Sequence, residues 1–237
     1  MARAPGASDA DELKAEALRL VEAEGAAAAA RRLDAHPDPA LAAKAYAQLV
    51  RELYRARKDV DGMIAVAQAG VARSLAAAEA AADAKAALNL RSAAKTLAFN
   101  AAANCWPGWD DPGVTLTSEH LAAGLALART CLGLVDELGL GAMQEANAHW
   151  LVAALRLAAG EAQAAQAEFE AAEAAFGSAG DGPATLMARG YRALAGAGGD
   201  EALAAALGRL TLDGSKDALF YRDQLLTAQR ALATWRG

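Results

Sequence analysis

Residues 146–179 read ANAHWLVAALRLAAGEAQAAQAEFEAAEAAFGSA, and this stretch decides the fold. Two Ala- and Leu-rich runs flank Gly160-Glu161, a break that neither helix can cross easily. In the second run Ala165, Phe169 and Ala172 fall on one face, a small–large–small pattern. Small residues let two helices approach closely, and the aromatic ring fills the gap beside them. The unit is therefore an antiparallel helix pair about 35 residues long.

Working outward, the same reading extends along the chain. A first helix spans 8–24, capped by Ser8 or Asp9, after a loose segment 1–8. A short helix follows Gly25, and His36-Pro-Asp-Pro39 forms a turn. Helix pairs are predicted at 39–57/60–82, 84–105/117–138, 142–159/161–177 and 183–197/200–212, closed by a helix at 215–235. Thr117 is the expected N-cap of its helix, with Leu116 and Leu121 placed as a hydrophobic staple.

Composition agrees. The 237 residues include 71 Ala and 32 Leu against 8 Val, 1 Ile and 8 Thr. Strands need β-branched residues, so a sandwich or barrel is excluded. The 17 Arg against 6 Lys and the abundant Ala match the codon bias of a GC-rich bacterial genome, so composition carries little functional information. A net charge of −6 argues against general affinity for nucleic acid or anionic membrane. No apolar run reaches the roughly 18–20 residues of a membrane span, and the start lacks a secretory signal, so a cytoplasmic location is expected. The two cysteines, Cys105 and Cys131, are expected as free thiols. Cys131 lies roughly 21 Å along its helix from the loop after Cys105, whereas bridged Cα atoms lie within about 7 Å.

The pair 146–179 resembles a tetratricopeptide repeat in its second helix, through Gly160-Glu161, Ala165, Phe169 and Ala172. Its first helix departs from that pattern: His149, Val152, Ala153 and Arg156 stand where the family favours Trp, Leu, Gly and Tyr. In the first pair Tyr54 and Asp59 fit the family's tyrosine and turn acid, while Met63 and Ala67 do not fit. The resemblance implies an all-α, right-handed solenoid of helix hairpins over 9–237, with additional N-terminal helices and a C-terminal capping helix. It also implies that the first helix of each pair lines a concave groove, where Asn and basic side chains hold a bound peptide.

Three features are candidates for function. Ser92, Thr96, Asn100 and Asn104 recur every four residues and form a polar stripe, flanked by Arg91 and Lys95. With Asn147 and His149 these are the expected groove residues, suited to a peptide backbone and an acidic segment or C-terminus. Lys44, Arg51, Arg55 and Lys58 form a basic stripe on helix 39–57, a docking face for an acidic partner or a solvated face. The segment 104–113 holds Trp106 and Trp109, two Asp and two Pro. It reads either as a recognition loop or as a rigid plug on the core. Glu168, Glu170 and Glu173 read as a solvated outer face.

The expected function is a non-catalytic scaffold that binds a protein or peptide. One alternative is a small-molecule sensor or helical enzyme with a pocket under the 105–116 loop and His120 or His149 in it. Another is a self-assembling subunit, with a homodimer contact through the C-terminal helix at Tyr221 and Trp235. No catalytic motif, metal-ligand spacing or cofactor-binding motif occurs, so no catalytic residue, metal or cofactor is expected.

Overall fold

A computed structural model describes residues 7–235, with side chains from Asp9 onward. The expected loose segment lies outside the described residues except at 7–8, which are helical: α1 starts at Ala7, so Ser8 and Asp9 fall inside its first turn and not at the cap position before it. The chain divides into two compact units, residues 1–104 and 105–237. The boundary falls inside the expected second hairpin, so its two helices belong to different units. Among the described residues there are eleven α-helices and no strand.

The first unit holds α1 (Ala7–Glu24), α2 (Ala26–Asp34), α3 (Pro39–Glu52), α4 (Val60–Ala80) and α5 (Ala84–Ala103). Helix α1 lies against α2 and α3, α3 against α4 and α5, and α2 against α4. The helix starts are decided locally. Asp38 accepts from the N–H groups of Ala40 and Leu41, Asp59 from Gly62 and Asp83 from Ala86. Each satisfies orphan donors of a first turn. Helix α3 ends in a π-helical turn, Leu53–Arg57, where Lys58 turns left-handed at φ 56° and the Asp59 N–H reaches back to the Leu53 carbonyl.

Tyr46, fully buried, pins α3 to α2. Its hydroxyl lies 2.8 Å from an Asp34 carboxylate oxygen and 3.0 Å from the Ala30 carbonyl, donating toward both. Burial, reinforced by the Asp34 carboxylate, pushes its pKa far up. Helix α4 crosses this ring at Gly70, where a Cβ would stand 2.7 Å from Tyr46 Cγ and 2.6 Å from Leu97 Cδ2.

The second unit opens with a 3₁₀ turn, Pro107–Trp109. It continues through α6 (Ser118–Leu138), α7 (Ala142–Ala158), α8 (Ala162–Ser178), α9 (Gly182–Leu194), α10 (Gly199–Asp213) and α11 (Lys216–Thr234). Each helix packs on the next, and α11 also packs on α9 and the 3₁₀ turn. Four connections share one chemistry. Gly139, Gly160, Gly180 and Gly196 take positive φ. The following N–H groups, of Leu140, Glu161, Asp181 and Ala197, then return to the carbonyls of Val135, Arg156, Phe176 and Arg192. This Schellman geometry satisfies the last helical carbonyls, and glycine adopts it without a Cβ penalty. Thr117 caps α6 as expected, and His120 completes the box: its N–H donates to Thr117 Oγ1, and its Nδ1 accepts from the Thr117 N–H.

The core of this unit is aromatic. Tyr191 stacks on Phe169 at 5.5 Å and meets the edges of Trp150 at 5.4 Å and Trp106 at 6.3 Å. Trp109 leans on Trp150 at 5.8 Å. Both cysteines are buried and neither is in a disulfide, and desolvation pushes the Cys105 thiol up to about 12, which keeps it protonated.

Candidate functional site

In the unit 105–237 several charged groups pair with one another across helices. Glu168 accepts from His149 Nδ1 at 2.7 Å on α7 and lies 3.7 Å from Arg156 of the same helix. Glu173 lies 2.6 Å from Arg189 and 3.4 Å from Arg192, both on α9. The expectation of a solvated acidic face on α8 is therefore corrected. Only Glu170, with a side chain 74% exposed, fits it. Glu168 and Glu173 are about one-fifth exposed or less and tie α8 to its two neighbours. Five residues turn a helix by about 500°, so Glu168 and Glu173 point to different sides, each meeting a different partner helix.

The hydrogen bond from His149 lowers the Glu168 pKa, and the carboxylate raises that of His149; burial opposes both shifts. A raised His pKa contributes stability below its unfolded value, about 6.5, and loses it as pH rises through the folded value. A lowered Glu pKa contributes above about 4.5 and loses it as pH falls. The pair is therefore strongest between about pH 4.5 and 6.5. His149→Gln is expected to cost on the order of 1 kcal/mol at pH 5.5 and clearly less at pH 8.5. Urea melts of the two proteins at both pH values read this; an equal cost at both would remove the ion pair from the account.

The tryptophans of the 104–113 segment behave as core, in keeping with the plug reading. Trp106 is fully buried and Trp109 half-buried. In this cluster the indole N–H groups of Trp106 and Trp150 and the Tyr191 hydroxyl are buried without completed hydrogen bonds. Trp235 is tied within the same unit, its indole N–H donating to the Ala158 carbonyl at 3.0 Å. On α11 the exposed large hydrophobic side chain is Phe220, beside Tyr221. Asn147 bonds back to the Met143 carbonyl of its own helix.

The unit 1–104 brings two of the sequence stripes together. Between α3 and α5 lies a cleft of about 270 Å³, lined by Ala47, Val50, Arg51, Arg55, Leu97, Asn100, Ala103 and Asn104. Arg51 on α3 and Arg55 on the π-helical turn that ends it are four residues apart and exposed; Asn100 on α5 and Asn104, its C-cap residue, are also four apart. Among the described residues neither arginine makes an ion pair, and no carboxylate lines the cleft. Glu52 is not part of the wall, since one residue turns a helix by about 100°. Of the remaining basic stripe, Lys44 is exposed outside the cleft and Lys58 sits 5.9 Å over the Tyr54 ring. Arg91, Ser92, Lys95 and Thr96 also lie outside the wall; Thr96 donates back to the Ser92 carbonyl. The pairing of Arg51 and Arg55 with Asn100 and Asn104 escaped the sequence reading. The signal that pointed to it was the shared spacing of four on α3 and α5, the first helices of successive pairs.

A second, wider cavity of about 540 Å³ lies over α1, lined by residues that include Asp9, Glu12, Glu16, Arg19, Arg32 and His36. Here the charges are of both signs, and Arg32 bonds Glu16 at 2.8 Å. That site answers its own charge, whereas the α3–α5 cleft does not.

No helix among the described residues is long and apolar enough to cross a membrane. No protein-family model matches the chain, and no curated protein matches it.

Proposed function

We propose that the chain is a non-catalytic, tetratricopeptide-like scaffold that holds an acidic peptide segment in the cleft between α3 and α5. The observation that carries this reading is the charge of the cleft wall. It bears two arginines and no carboxylate, on a chain whose net charge is −6. Two unanswered guanidiniums in a concave wall are complementary to an anion, and guanidinium geometry suits a bidentate oxygen pair. The carboxamides of Asn100 and Asn104 offer donors and acceptors to an extended backbone. Packing of α1 on α3 and of α3 on α5, with α2 on α4, supports a stack of helices with α1, α3 and α5 in one layer.

Each arginine contact at this exposed site is worth on the order of 1 kcal/mol, after screening. Losing both therefore weakens binding by about tenfold or more. The test is fluorescence anisotropy with a labelled decapeptide of alternating Glu and Ala, against its Gln counterpart. The full chain is expected to prefer the Glu peptide, and Arg51→Ala/Arg55→Ala to bind it at least tenfold more weakly. Both side chains are exposed, so the variant should fold. Equal binding of the Glu and Gln peptides, or an unaffected variant, overturns the reading.

A further inference from the structure

We infer that the anion held between α3 and α5 is a phosphorylated side chain of a peptide rather than a carboxylate, an inference that rests on the peptide-binding reading above. The first argument is charge. The wall carries two guanidiniums and no acid, and a phosphomonoester carries about −1.5 to −2 at neutral pH where one carboxylate carries −1. The second is geometry. The donors come from opposite sides, Arg51 and Arg55 on α3 and its π-helical end, and Asn100 and Asn104 on α5 and its C-cap. Packed helices are about 8–10 Å apart. A tetrahedral group with three strong acceptor oxygens can take N–H groups from both walls at once, whereas a planar carboxylate has two oxygens on one edge.

The third argument is what the cleft lacks. None of the eight lining residues is aromatic, so a nucleotide base would find no ring to stack on. The chain's net −6 repels a polyanion at longer range. The apolar part of the wall, Ala47, Val50, Leu97 and Ala103, suits the carbon atoms of a flanking residue. At about 270 Å³ the cavity falls just below the roughly 300–1,000 Å³ of drug-sized ligand pockets.

The test uses the full chain, ¹⁵N-labelled, titrated with three capped tripeptides: Ala-phosphoserine-Ala, Ala-Glu-Ala and Ala-Ser-Ala. Inorganic phosphate is a fourth probe. The readouts are the side-chain resonances of Arg51, Arg55, Asn100 and Asn104, assigned by single substitution. The phosphoserine tripeptide is expected to shift these four and to bind at least fivefold more tightly than the Glu tripeptide or free phosphate. Arg51→Gln/Arg55→Gln should abolish the shifts at Asn100 and Asn104, and Lys44→Gln, outside the cleft, should leave them intact. Equal affinity for the phosphoserine and Glu tripeptides overturns this inference and leaves the acidic-peptide reading standing. Inorganic phosphate binding as tightly as the phosphopeptide removes the peptide from it. Shifts that survive the double arginine variant place the anion elsewhere. No shift with either acidic tripeptide sinks both this inference and the reading beneath it.

Discussion

Trp106→Ala is expected to destabilise the unit 105–237 by about 3–5 kcal/mol, the range for deleting a large aromatic from a packed core. Trp106 is fully buried, and its ring meets Tyr191 edge-on at 6.3 Å. Tyr191 in turn carries Phe169 and Trp150, so the cavity would open at the centre of the cluster. Relaxation is restricted because Pro107 and Pro112 stiffen the segment that holds the ring. All four tryptophans, Trp106, Trp109, Trp150 and Trp235, lie in this unit. Indole fluorescence during urea unfolding therefore reports it alone, through the three that remain. Tyr191→Phe is the companion. Burial raises the Tyr191 pKa strongly, offset in part by the Trp106 indole facing it, and the hydroxyl completes no hydrogen bond. Removing it should be neutral or slightly stabilising, since a desolvated, unpaired hydroxyl costs about 1–3 kcal/mol. A midpoint for Trp106→Ala within error of wild type would mean that the 104–113 segment is not part of the core.

Gly70→Ala is expected to destabilise the unit 1–104, although alanine is the better helix former. In an open helical site the exchange would gain about 1 kcal/mol. Here the new Cβ would stand 2.6–2.8 Å from Leu97 Cδ2 and from Tyr46 Cγ and Cδ1. Leu97 can rotate away. The Tyr46 ring cannot, because Asp34 and Ala30 hold its hydroxyl. Overpacking of this kind costs about 1–3 kcal/mol, enough to reverse the sign. Gly133→Ala in α6 meets nothing within 4 Å and should show the gain alone. Thermal unfolding followed by circular dichroism compares the two; equal stabilisation by both would show that α4 yields at Gly70.

Helix starts and stops were legible because their causes are local. Asp38, Asp59, Asp83, Thr117, Asp181 and Ser215 each cap a helix through an N–H group two or three residues on. A glycine at positive φ marks each of four stops. Such signals need no knowledge of the rest of the chain. The candidate site was legible only in halves. The basic stripe and the polar stripe are visible as spacings of four, but spacing does not say which faces meet.

The acidic residues of α8 illustrate the same limit. Glu168, Glu170 and Glu173 look alike in sequence, yet the first pairs with α7, the third with α9, and only Glu170 is mainly solvated. By itself, then, the chain's order of residues determined that it is helical, where most helices begin and end, and that its two cysteines form no disulfide. Tertiary structure alone decided that Arg51 and Arg55 face Asn100 and Asn104, that Trp106 is core, and that the boundary between compact units falls at Asn104. The reason is range: helix formation and capping act over about four residues. Clefts and cores join residues tens of positions apart, whose meeting depends on every packing contact between them.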